Sequence, residues 1–264
     1  MRRSHCFGPA RGSHWFQLSP ALPRFFPTPH CRPPGLATGN DNILLRPTLI
    51  LPTLLRSVSV KLHTTMTTFT PAELRKLRSL KDPHGIQRFL DDMPYHLADT
   101  GSSPRRVLRE NTSHCFEGAI FAAAALRVNG FPPLILDLEA EHDTDHVIAI
   151  YRVNGHWGAV AKSNYTGCRY REPVYRSLRE LALSYFDVYF NLRRERTLRT
   201  FSRPVNLKRF DRLEWMTTEQ DVFFIAEYLF DIHHDRLLTP AMVKKLHRLD
   251  DRSFRAGCLG RAEK

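Results

Sequence analysis

The stretch Ser113-His114-Cys115-Phe116-Glu117-Gly118-Ala119-Ile120-Phe121-Ala122-Ala123-Ala124-Ala125-Leu126-Arg127-Val128-Asn129-Gly130 decides the fold. Ser113 can cap a helix that runs over 115–128. Alanine has the strongest helix propensity and the smallest profile, so the interior of this helix can be approached closely on several sides. Asn129-Gly130 ends it in the left-handed conformation that glycine tolerates. Pro132 and Pro133 prevent it from continuing. A helix apolar all round needs other elements on its faces.

The flanking sequence supplies them. Residues 134–138 form a short apolar run and read as a strand, 139–144 as an acidic loop, and 146–153 as a second strand. Asn154-Gly155 is a strong hairpin signal, and 156–163 reads as the returning strand. Upstream, Thr70-Pro71-Ala72-Glu73 carries the marks of a helix start, followed by Leu74, Leu77 and Leu80 at helical spacing. A short helix is expected over 85–93 and a further turn over 104–109. Downstream, 177–191 has an apolar helical face and 193–199 is a solvated charged stretch. Thr217 or Thr218 opens a helix reaching Phe230, and Thr239-Pro240 opens another to Leu249. The last dozen residues read as frayed. The expected fold is α+β: a central Cys-bearing helix packed on a small antiparallel sheet, with flanking helices. Three divisions are expected, at 1–65, 66–214 and 215–264, the last a C-terminal helical extension.

The net charge of +12 belongs mostly to the leading segment. Residues 1–65 hold eight Lys or Arg against the single acid Asp41, so seven of the twelve charges lie there. A folded basic face for nucleic acid is therefore a weak reading, and no specific nucleic-acid binding is expected. Rich in Pro, Arg and Ser, the segment reads as disordered, or as an organelle presequence. No run of 18 apolar residues occurs, so no membrane span is expected. The five cysteines are odd in number and widely spaced, with no CxxC. Free thiols in a reducing compartment follow, the cytoplasm or, if the leader is a presequence, the mitochondrion.

Cys115 stands at the start of the central helix. A thiol there is acidified by the helix dipole and by unpaired N–H groups. The same groups can hold an oxyanion. His146 opens the second strand, 31 residues on. Cysteine on a helix, then a strand, then histidine on the next strand, then a hairpin: this order resembles the core of the transglutaminase-like superfamily, related to the papain-like cysteine enzymes. The resemblance rests on residues 113–119, the helix through Leu126 to Pro132, and Asp145-His146-Val147-Ile148-Ala149-Ile150. It covers about 50 to 60 residues.

That resemblance implies Cys115 as nucleophile and His146 as general base; separately, no cofactor or metal is expected. The family's usual Asp is missing, because Ala161 stands where it would be expected after Trp157. Hairpin geometry leaves two substitutes. A two-residue turn sets Ser163 opposite His146; a three-residue turn with a bulge sets Lys162 there and Asn164 on the same face. Asn164 is the stronger candidate to orient the imidazole, since its side-chain oxygen accepts the ring N–H. The implied activity is acyl transfer, or amide or peptide hydrolysis, on a peptide or small amide. The alternative is a degenerate domain that uses the cleft for binding. His142, Asp143, Asp145 and His146 have no familiar metal-ligand spacing. His114 and the cluster Lys162, Arg169, Arg171 and Arg176 read as surface.

Overall fold

The computed structural model describes residues 68–263. The expectation of a disordered or targeting-like segment over 1–65 lies outside the described residues.

Helix α1 (Pro71–Ser79) begins as its sequence dictates. Thr70 Oγ1 accepts from the Glu73 N–H at 3.2 Å, and the Glu73 carboxylate accepts from the Thr70 N–H at 2.6 Å. This reciprocal box satisfies two donors that every helix start leaves unpaired. Helix α2 (Pro83–Asp91) starts ahead of the expected Gly85, because Asp82 caps it by accepting from the Gly85 N–H. Helix α3 (Pro104–Glu110) is capped by Ser103.

Helix α4 (Cys115–Val128) has the expected ends but not the expected cap. The Ser113 hydroxyl donates to the Met93 sulfur, 3.2 Å away, and the Ser113 carbonyl accepts from the His96 N–H. The first turn is closed from inside instead: the Glu117 carboxylate accepts from the His114 N–H at 3.2 Å. Every residue from Phe116 to Leu126 is buried. Ile120, Phe121 and Leu126 are fully so, each contributing roughly 1.5–3 kcal/mol relative to exposure. Packing, more than propensity, holds this helix in place.

Seven strands form one antiparallel sheet: β1 (Leu134–Ala140), β2 (His146–Val153), β3 (His156–Val160), β4 (Arg171–Tyr175), β5 (Leu198–Ser202), β6 (Val205–Asn206) and β7 (His234–Arg236). Their order is β4-β3-β2-β1-β5-β7, with β6 also on β1. The β2–β3 hairpin pairs Val153 with His156. Asn154 and Gly155 both have positive φ, 47° and 83°, as a two-residue type I′ turn requires.

Strand alternation divides the interior into two cores. Ile135, Val147, Ala149 and Tyr151 face α4 and the helices around it. Leu136, Leu138, Ile148 and Ile150 face the other way, toward Leu181 of α5 (Leu178–Leu183), Tyr185 and Tyr189. The remaining helices are α6 (Phe223–Asp231), α7 (Pro240–Val243) and α8 (Asp251–Gly257).

Several segments depart from the sequence reading: α6 starts at Phe223 rather than at Thr217 or Thr218, α7 stops at Val243 short of Leu249, and the last dozen residues, expected as frayed, include most of α8. The expected helix over 177–191 ends at Leu183 and resumes only as a 3-10 turn at Phe186–Val188. The charged stretch leads into β5, where Arg199 pairs with Glu141 while Leu198 and Phe201 turn inward. The residues 215–264, expected as a helical extension, supply β7 to the same sheet, and Trp215 is in the α4-side core.

Candidate functional site

A small cavity of about 60 Å³ is lined by Cys115, His146, Tyr95, Ser163, Asn164 and Cys168, together with residues 143–145. No Lys or Arg lines it. The fold therefore brings all four expected site residues to one cavity.

Cys115 is the first residue of α4, and its sulfur lies 3.9 Å from the Asp145 carbonyl oxygen. Cys115 is partly buried, and burial pushes the thiol up to about 11. The amides of Phe116 and Val147 act in the opposite sense. The acidified thiol expected at a helix N-terminus is thus corrected: desolvation outweighs the helix end. The Tyr95 hydroxyl lies against Cys115, and burial raises this phenol above its ordinary range.

His146 is 6% exposed. It shares its sheet face with Ile148 and Ile150, opposite to α4, and its ring packs edge-on to Tyr185 and Tyr189 at 6.3 and 6.2 Å. Its Nε2 lies 2.8 Å from the Cys168 carbonyl oxygen. A carbonyl only accepts, so Nε2 carries the proton and Nδ1 the free lone pair. Burial pushes the imidazole down to about 4, opposed by the Cys168 bond and aided by the charge of Arg171. Both members of the pair are neutral at pH 7. No hydrogen bond joins Cys115 to His146, although both line the same cavity.

Neither expected orienter bonds the imidazole. Ser163 Oγ accepts from the Tyr165 N–H at 3.0 Å. Asn164 bonds the backbone of Ala262 instead. The hairpin is the two-residue form, but its register cannot be extrapolated to Ser163, because β3 leaves the sheet after Val160. The Gln87 amide takes over the next backbone groups, accepting from the Ala161 N–H and donating to the Ala161 carbonyl, both at 3.0 Å. Lys162 is buried and its ammonium donates to the Leu90 and Met93 carbonyls. That corrects its reading as a surface residue. Burial lowers its ammonium to about 8.

A second group of polar residues lies behind the cavity. Glu117 is buried and accepts from the Thr100 hydroxyl at 2.6 Å and the Ser102 N–H at 2.8 Å, with His96 Nδ1 at 3.1 Å. Burial opposes its charge, but His114 and these bonds outweigh it and hold the carboxyl below its usual range. His114, read as surface, donates its Nε2 proton to the Thr100 carbonyl at 2.7 Å. This network fastens the segment that carries Tyr95. Asp145 accepts from the Ala140 N–H at 2.8 Å, and burial pushes it up to about 6.

Sequence reasoning missed Tyr95 and the Cys168 carbonyl. Tyr95 is distant in sequence and bears no local motif. A carbonyl has no side-chain identity to read. Among the described residues no group of three or more His, Cys, Asp and Glu is arranged to hold a metal, and no helix is long and apolar enough to cross a membrane. Comparison with known proteins returns no matching family model and no matching curated protein.

Proposed function

We propose that this protein is a cysteine-dependent enzyme of the transglutaminase-like kind, acting by acyl transfer or by amide or peptide hydrolysis. One observation carries the reading: His146, fixed by the Cys168 carbonyl as a base at Nδ1, shares a cavity with the thiol that opens a buried helix. Cys115 Sγ attacks the substrate carbonyl carbon while His146 Nδ1 takes the thiol proton. The Phe116 and Val147 amides, which favour negative charge on the sulfur, are assigned to the oxyanion. The imidazolium then protonates the leaving amine and a thioester remains. Water, or a second amine, attacks it with His146 again as base, and the thiol is restored.

The resting pair sets a condition on this chemistry. A thiol near 11 and an imidazole near 4 place full proton transfer roughly 10 kcal/mol uphill before the ions attract. Transfer must therefore accompany bond formation rather than precede it. The reading also requires a reducing compartment, which we take to be the cytoplasm, or the mitochondrion if residues 1–65 act as a presequence. The substrate assigned is a peptide or small amide.

A second reading, a binding domain without turnover, is favoured by the lack of any side-chain orienter on His146. Iodoacetamide labelling separates the two. The enzyme reading expects Cys115 to react faster than Cys168 or Cys258 at neutral pH, and His146→Ala to slow it. Uniformly slow labelling, indifferent to His146, would support the binding domain.

A further inference from the structure

The loop 163–168 forms one wall of the Cys115 cavity, and the C-terminal segment holds it. The Asn164 amide donates to the Ala262 carbonyl at 3.0 Å and accepts from the Ala262 N–H at 2.7 Å. Thr166 donates its N–H to the Gly257 carbonyl and its hydroxyl to the Leu259 carbonyl, both at 3.0 Å. Tyr165 packs edge-on against Phe190 at 5.3 Å, and Phe190 against Phe254 of α8 at 5.6 Å. Gly257 sits so close to Phe190 that an added Cβ would come within 2.5 Å of its ring.

The loop passes this hold on to the base. The Cys168 N–H donates to the Tyr165 carbonyl at 3.3 Å, and the Cys168 carbonyl receives the Nε2 proton of His146. A continuous series of bonded residues therefore leads from Ala262 through Asn164 and Cys168 to the imidazole. Helix α8 itself contains no buried residue. It is held by these bonds, by Phe254, and by the Arg194–Asp251 ion pair at 3.0 Å. Elements with so little buried apolar surface open more readily than the core.

We propose that the C-terminal segment 250–262 is a working part of the site, with Asn164 as a positioning residue: held by Ala262, it sets the loop that presents the Cys168 carbonyl to His146, and detachment of the segment releases the imidazole from the tautomer that leaves Nδ1 basic. This rests on the reading of His146 as the base of Cys115. An ordinary hydrogen bond biases a two-state equilibrium about fivefold, so loss of the Cys168 contact returns both tautomers to measurable populations.

The test is long-range proton–nitrogen NMR on the full chain labelled at histidine nitrogens, reading the His146 tautomer and the exchange of its Nε2 proton. The intact protein is expected to show the Nε2–H tautomer alone, with slow exchange. Asn164→Ala is expected to speed that exchange about fivefold and to bring in the Nδ1–H tautomer. Thr166→Val, which removes one exposed hydroxyl, is expected to shift both in the same direction by less, and it carries the test if Asn164→Ala does not fold. Unchanged tautomer and exchange in the folded variants would overturn the proposal. The readout needs no turnover, so an inert Cys115 would refute the proposed activity without deciding this question.

Discussion

His146 donates its Nε2 proton to the carbonyl of Cys168, 22 residues further along the chain, at 2.8 Å. A backbone group thus does what the side chain of Asn164 or Ser163 was expected to do. It fixes the tautomer without adding a negative charge, which leaves the imidazole neutral in an apolar setting between two tyrosines.

The buried neutral imidazole makes the fold sensitive to acid. The folded value of His146 is about 4 against an ordinary 6.5, so the unfolded chain binds more protons in between. The stabilisation is complete above pH 6.5 and is lost as pH falls through about 4, by roughly 3 kcal/mol in total. His146→Gln keeps a donor for the Cys168 carbonyl but cannot titrate. Denaturant midpoints from pH 7 to 4 are expected to fall more steeply for the natural protein than for this variant; parallel curves would contradict the burial argument.

Gly118 is a position where the usual helix rule reverses. Alanine ordinarily stabilises a helix interior by about 1 kcal/mol over glycine. Here a Cβ would stand 2.4 Å from Cβ of the buried Lys162, so Gly118→Ala is expected to destabilise by about 1–3 kcal/mol. Thermal unfolding gives the sign directly.

Glu117→Gln replaces an acceptor with an amide whose NH2 group must face other donors. The Thr100 hydroxyl, the Ser102 N–H and the His114 N–H all point at this carboxylate. A loss of about 2–4 kcal/mol is expected. Hydrogen exchange at Ser102 is expected to rise with it, since the loop carrying Tyr95 loses its anchor. Unchanged exchange there would mean that the network does not hold the loop.

Gln87→Ala removes the amide that takes both backbone groups of Ala161. Two buried polar groups are left unpaired at about 1–3 kcal/mol each, unless β3 extends to recruit them. The amide exchange rate of Ala161 distinguishes these outcomes: fast exchange indicates exposed ends, slow exchange an extended strand.

The parts of the fold legible in the sequence were those written locally. The Thr70 box, the ends of α4 and the Asn154-Gly155 turn each depend on residues within a few positions of one another, and the α+β architecture followed from them. The strands β5 and β7 were not legible, because their pairing is decided by partners far away in sequence and their own residues read as charged or helical. Cys115, His146, Ser163 and Asn164 all line one cavity. Their bonding was not legible. Register ran out where Gln87, 74 residues away from Ala161, displaced the strand, and Asn164 is bonded 98 residues along the chain.

The most direct test of the central claim is mass-spectrometric capture of the thioester after brief exposure of the full chain to p-nitrophenyl acetate at pH 7.5. The account predicts acetyl on Cys115 before Cys168 or Cys258, and a rate reduced at least about 100-fold in His146→Ala. Equal, slow acetylation of the three thiols, unchanged in His146→Ala, would contradict it.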